Sequence, residues 1–256
     1  MTKTKISAAI LTYNSEKHIE NVLKKLYWCD EIVIVDSYST DATLEICKKY
    51  TNLVFQNKFE GFGPQKQVLM ARCANDWILS IDSDEVVDDE LITNITKLTL
   101  ADFEENAGFL INRKHIFLDK QFQYGKESSA WILRLFNKQK GNVTANIVHE
   151  SIKVNGNISK VKGSLLHYTI SELKDAIHKM DLYAQLKAQE YFKNNKKNTW
   201  IKLYITFPFT FFREYFLNKN FMNGYQGYIW SFLVAQGAAL KYYYLSELYK
   251  NNKANY

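Results

Sequence analysis

The first hundred residues switch four times between two hydrophobic periods, and few architectures accommodate that alternation. Lys5 to Tyr13 (KISAAILTY) is a short apolar run, and behind Ser15, which can cap a helix, the residues Ile19, Val22, Leu23 and Leu26 recur at helical spacing. The same hand-over follows in EIVIVD before DATLEICKKY, in NLVFQN before GPQKQVLMARCA, and in DWILSID before DDELITNITKL. Serial strand-helix units bury both faces of their strands only in a mostly parallel sheet layered between helices, so the predicted class is α/β, Rossmann-like. Ligands of such sheets gather beyond the carboxyl ends of the strands. Thr12 and Asn14, Asp36 to Asp41, and Asp82 to Glu85 all fall there.

The pattern changes twice more. From Ala107 to Tyr168 extended segments alternate with turns, which predicts a mixed or antiparallel extension of the sheet. After Ser171, Leu173, Ala176, Ile177, Met180, Ala184, Ala188 and Tyr191 keep the helical period, and Thr199 to Tyr249 reads as two further helices rich in Phe, Tyr and Trp. The expected division is a sheet domain over residues 1–170 and a helical, aromatic-rich extension over residues 171–256 packed on it. Asn220 to Leu240 carries no charge, but Asn223, Gln226, Ser231 and Gln236 interrupt it, so a buried or interfacial helix is expected rather than a span.

Charge and cysteine usage narrow the classes. A formal charge of +6 is too mild to argue for a nucleic-acid partner. Lys193, Lys196, Lys197 and Lys202 form a basic stretch ahead of the aromatic tail, which suits either an anionic membrane surface or a solvated helix end. Cys29, Cys47 and Cys73 lack metal-ligand spacing and read as reduced thiols, so a cytoplasmic setting is expected. The short apolar run behind Lys3 and Lys5 is not the pattern of a signal peptide.

The segment WILSIDSDEVVDD, Trp77 to Asp89, runs from an apolar strand into a cluster of like charges that something must offset. Asp82 and Asp84 lie two apart at the strand end, where a tight turn can aim both at one rim. Their oxygens suit Mg2+ or Mn2+, especially with substrate phosphate completing the shell. The alternative is that Asp84 or Asp88 caps the helix beginning near Leu91. In VDSYSTDAT, Asp36 can accept hydrogen bonds from a nucleobase or ribose, whereas Asp41 reads as a helix cap.

Taken in order, AAILTYNSE, VDSYSTDAT, GPQKQVLMARCANDWILSIDSDE and VHE resemble the family 2 glycosyltransferases, over roughly the first 170 residues. The resemblance implies the GT-A fold and a nucleotide-diphospho-sugar donor. It implies that Thr12, Asn14 and Glu16 border the nucleotide pocket, that Asp36 contacts the base, and that Asp82 and Asp84 bind the metal, Asp84 foremost. Lys66 either neutralises donor phosphate or is solvated. Where the family often carries glycines, this chain has Tyr38 and Ala42.

Sugar transfer needs a stabilised leaving group and a base for the acceptor hydroxyl. Glu150, by resemblance to the family's acceptor-side acid, is the expected base, with Asp119 and Glu127 as rivals. His149 and His167 are candidate metal or phosphate ligands, each with a structural alternative. Arg134 is expected to face away from Leu133 and Leu135, toward the donor diphosphate or into a surface ion pair.

The resemblance further implies inversion at the anomeric carbon and transfer of a single sugar, because the Gln-x-x-Arg-Trp signature of processive synthases is replaced here by Gln226-Gly-Tyr-Ile-Trp230. RLF, VHE, HY and the aromatic tail look like the branch that includes lipopolysaccharide core β-glucosyltransferases. The expected reaction moves one hexose, from UDP-glucose or a similar donor, to a saccharide or glycolipid of the cell envelope, with peripheral contact at the cytoplasmic face of the inner membrane. The competing classes are a non-catalytic nucleotide-sugar-binding or membrane-adaptor protein and a sugar-phosphate nucleotidyltransferase. LTYNSEKH lacks the glycine-rich loop the latter requires.

Overall fold

The computed structural model describes residues 4–143, 152–170, 172–196 and 200–254. In chain order the elements are β1 (Ile6–Thr12), α1 (Ile19–Lys24), β2 (Glu31–Asp36), α2 (Thr43–Cys47), β3 (Val54–Gln56), α3 (Phe62–Arg72) and β4 (Trp77–Asp82). There follow β5 (Glu85–Val87), α4 (Asp89–Thr96), α5 (Leu100–Glu105), β6 (Asn106–Phe117), β7 (Lys120–Gln121), β8 (Ala130–Asn137), β9 (Gly141–Val143), β10 (Ile152–Val154) and β11 (Asn157–Ile170). Three longer helices complete the chain: α6 (Leu173–Lys193), α7 (Trp200–Phe212) and α8 (Gly224–Ala254).

Two compact units emerge, one of Met1–Lys114 with Ala130–Tyr168, the other of His115–Ser129 with Thr169–Tyr256. The second unit thus takes in a segment from the middle of the predicted sheet domain. Its hydrophobic pairing explains why: Phe117 and Phe122 are wholly buried and meet the Trp230 ring of α8 at 5.3 and 6.1 Å. Asn223 accepts from the N–H groups of Gln123 and Tyr124 and donates to the Tyr124 carbonyl, tying the same segment down.

In the first unit the strands run in the order β3-β2-β1-β4-β8-β6-β11-β5. The first four are parallel, and β8 joins them antiparallel to β4. Alternation along the parallel strands sorts their side chains into two cores. Ala8, Ile10, Trp77, Leu79 and Ile81 pack with Val22 and Leu23 of α1 and Leu91 of α4, while Ala9, Val33, Val35 and Ile78 pack with Leu69 of α3 on the other face. Helices on both faces and an antiparallel extension match the expectation.

Local signals fix the helix starts. Asp88 accepts from Leu91 N at 2.7 Å and caps α4, so the alternative reading of the acidic cluster holds for this one residue. Thr99 and Asp102 form a reciprocal capping box on α5. Gly163 has φ +101, and a Cβ there would lie 2.2 Å from Leu91 N, so glycine is what lets β11 cross the start of α4.

One expectation about β8 fails. Leu133 and Leu135 do not share a face: Leu135 belongs to the core beside α1, whereas Leu133 packs on the core beside α3. The register with β6 shifts from Phe109↔Leu135 to Leu110↔Leu133, leaving Arg134 as the extra residue of a β-bulge. A bulge breaks the two-residue alternation and re-aims the inserted side chain.

Candidate functional site

The sequence-predicted residues meet where β1, β2 and β4 end together. Thr12 pairs with Asp36 in register, and Leu11 with Asp82, so the polar groups following three strands share one edge.

On the β2 side the loops are stitched by side chains. Asp36 is fully buried and accepts from Thr12 Oγ1 at 2.9 Å and from Ser39 N and Oγ at 2.8 and 2.5 Å. Asn14 donates its N–H to Ser39 Oγ and accepts from Thr40 N, and Glu16 accepts from Ala42 N while its own N–H reaches Asp41. Asp41 also accepts from Thr43 N, but the N-cap of α2 is Ala42, without a side-chain cap bond, so Asp41 stands one residue ahead of the cap expected of it. Asn14 and Tyr38 both sit in the left-handed region, with φ 46 and 61. Tyr38 therefore keeps the conformation that glycine would supply, at a steric cost, with its ring in solvent.

On the β4 side Arg134 organises the carboxylates. Its guanidinium reaches Asp82 Oδ2 at 2.5 Å and Glu85 Oε1 at 2.6 Å. Glu85, fully buried, also accepts from Asp82 N at 3.2 Å and has Arg113 at 3.9 Å. Lys66 on α3 is only 8% exposed, which excludes the solvated reading. Burial works against ionising Asp82, but Arg134 and then Lys66 outweigh it and hold that carboxyl at about 2. For Glu85 burial dominates over the pull of Arg134, with Asp82 adding repulsion, and its carboxyl is raised above the ordinary range. Burial likewise opposes the charge on Arg134, but Asp82 and Glu85 together fix it as a cation.

Asp84 points elsewhere. Its Oδ2 lies 3.2 Å from His167 Nε2, and its carbonyl accepts from Tyr168 N at 2.9 Å, so β11 delivers the histidine to the acidic turn. Among the described residues no group of three or more His, Cys, Asp or Glu side chains gathers as a closed metal cage. A carboxylate and an imidazole, both partly open to solvent, fit an ion that keeps waters and takes substrate phosphate oxygens as its remaining ligands. Asp82, engaged by Arg134, is less available for this than Asp84.

A hydroxyl bond joins the two halves of the edge: Ser15 Oγ and Ser83 Oγ are 2.8 Å apart. The sequence reading makes Ser15 the cap of α1, whose N-cap is instead His18 without a side-chain cap bond, and it gives no individual role to Ser39, Ser83, Glu85, Arg113 or Gln65. Gln65, 1% exposed, bridges Ser37 Oγ and the Asn57 carbonyl. Glu150 and His149 lie outside the described residues. The rival bases Asp119 and Glu127 belong to the second unit, where burial, reinforced by Glu214, raises the Glu127 carboxyl.

A doubly wound sheet whose acidic strand ends face one edge frames this site, and the chain belongs to glycosyl transferase family 2, whose model matches residues 7–160. Its fold is GT-A. It is similar to the lipopolysaccharide core biosynthesis glycosyltransferase LpsC of Rhizobium meliloti, 32% identical over 234 residues, which cover 89% of this chain and 86% of that one. A glycosyltransferase of Rickettsia typhi is 27% identical over 256 residues, covering 95% and 87%. Among solved structures, Staphylococcus aureus TarS 1–349 in complex with UDP-GlcNAc aligns over 44% of this chain and 35% of that one, at 31% identity and a TM-score of 0.37.

Proposed function

We propose that the chain transfers one hexose from a uridine diphosphate sugar, with inversion, to a saccharide or lipid-linked saccharide of a lipopolysaccharide core. The observation that carries this reading is that Asp36 and Asp82 end the two strands flanking β1 on one sheet edge, with Arg134 fixing Asp82, within a member of this family. Similarity to LpsC over most of both chains supports the acceptor class.

In this reading the Thr12–Asp36–Ser39 cluster holds the nucleoside end of the donor through the remaining lone pairs of Asp36. Asn14 and Glu16 keep the two loops in register around it. Lys66 offsets charge on the diphosphate, while Arg134 fixes Asp82 beside it. Asp84 and His167 would hold Mg2+ or Mn2+, with His149 a further candidate; the ion, when bound, offsets charge on the departing diphosphate. Glu150 takes the proton of the acceptor hydroxyl as that oxygen attacks the anomeric carbon opposite the leaving group. An amphiphilic acceptor brings the enzyme to the cytoplasmic face of the membrane, where buried thiols such as Cys47 and Cys73 stay reduced.

The test is a panel of UDP-hexoses, UDP-glucose first, assayed for manganese-dependent hydrolysis and for transfer to core saccharide. Asp84→Ala is expected to lower manganese affinity and hydrolysis by about 100-fold while the fold persists. A wild-type protein that hydrolyses none of the donors, or an Asp84→Ala variant with unchanged manganese dependence, defeats the reading.

A further inference from the structure

We propose that the outer face of α7 is a docking surface for an anionic lipid bilayer. This deepens the reading of an amphiphilic acceptor and rests on it for its biological setting, but its observations lie wholly in the second unit.

α7 and the π-helical turn that continues it, Arg213–Leu217, carry two apolar faces. One is spent on α8: the Phe207 ring meets Phe232 at 5.5 Å, and the Phe211 ring meets Tyr228 at 5.7 Å. Among the described residues none covers the other. Ile201, Ile205, Phe209, Phe212 and Phe216 recur at steps of four and three residues, one side of a helix, and each is 48% to 62% exposed. Tyr204 and Leu217, at 68% and 65%, widen the row. A surface helix ordinarily turns a polar face to water, and a contiguous apolar strip of this length marks an interaction site.

Charge selects the occupant. From Lys193 to Lys241 the chain holds seven lysines and arginines and one acid, Glu214. That acid is buried and accepts from Arg213 and Asn218, so its charge is already met inside the unit. Lys202 of α7 and Lys219, two residues past the π-helical turn, stand exposed, Lys202 with its ammonium 5.8 Å from the Tyr242 ring of α8. A second copy of the chain would set this basic segment against itself under two-fold symmetry, bringing lysine onto lysine. Anionic headgroups above an apolar interior satisfy both parts at once. No helix among the described residues is long and apolar enough to cross a membrane, so the strip fits a helix lying along the surface.

The test is co-sedimentation of the full chain with phosphatidylcholine vesicles, with and without phosphatidylglycerol. Binding is expected to the anionic vesicles, to weaken as salt rises, and to fall by at least about tenfold in Phe209→Glu/Phe212→Glu. Both positions are exposed, so the circular dichroism of the variant should match wild type. Lys202→Glu/Lys219→Glu is a second variant, expected to lose the preference for anionic vesicles. Wild-type protein that ignores anionic vesicles, or aromatic variants that bind them undiminished, overturns the proposal. So does a lipid-free dimer in sedimentation velocity that the aromatic variant dissolves, which would assign the face to a second copy. Donor hydrolysis in vesicle-free buffer reports on the sugar site separately: its loss with vesicle binding intact removes the enzymatic reading alone.

Discussion

Replacing Arg134 by methionine strands Glu85, and the resulting cost should depend on pH in a calculable way. Arg134 is 6% exposed and bonds two carboxylates, but the two bonds are unequal. The Asp82 side chain is 41% exposed, so solvent can replace much of what Arg134 gives it, about 0–1 kcal/mol. Glu85 is fully buried and is left with Arg113 at 3.9 Å, itself one-third exposed. Keeping such a carboxylate charged without its partner costs about 3–5 kcal/mol. Protonation limits that: at about 1.36 kcal/mol per pH unit, neutralising a carboxyl of ordinary value 4.5 near pH 7 costs about 3.4 kcal/mol. The same step near pH 5 costs only about 0.7 kcal/mol.

The sign follows from linkage. A folded-state value raised above 4.5 means stability is fully present below that pH and is lost as pH rises toward the folded value, and removing Arg134 enlarges the raise. Urea unfolding of Arg134→Met should therefore show a deficit of about 3 kcal/mol near pH 7 that shrinks to about 1 near pH 5. Glu85→Gln in the same background should flatten the dependence. A deficit that is equal at both pH values, or below about 1 kcal/mol at pH 7, would show that Glu85 is not an uncompensated buried charge.

Three further outcomes are expected. Gly163→Ala forces a side chain onto the backbone of Leu91 at a left-handed φ and should cost about 3 kcal/mol or more in urea unfolding, against under 1 for an ordinary exposed strand position. Asp88→Ala removes the cap of α4 and should cost about 1 kcal/mol, with Asp88→Asn recovering most of it. Burial pushes the Cys47 and Cys73 thiols up to about 12, so at pH 8 a thiol reagent should modify Cys29 first and reach the other two only as the protein unfolds.

The strand-helix alternation was legible because the hydrophobic period changes at each boundary, and Asp36 and Asp82 fell at strand ends that the pattern already located. What escaped reading depended on partners distant in sequence. Glu85 looks like one acid among five until Arg134, 49 residues on, is folded over it. The bulge at Arg134 leaves no mark in WILRLF, whose alternation reads as an undisturbed strand. The segment His115–Ser129 joins the second unit through Trp230 and Asn223, contacts that its own composition does not announce.

β1 lies between β2 and β4, so Asp36 and Asp82 stand two strand spacings apart, roughly 9.6 Å of backbone. That separation is a property of hydrogen-bonded sheet and cannot stretch or relax as loops do. If the two ends grip one donor, as proposed, the sheet acts as a ruler: a nucleotide with a longer or shorter linkage could satisfy one end only. Evolution of a new donor preference would then have to work through what lies beyond the diphosphate, leaving the gauge of the nucleotide itself untouched.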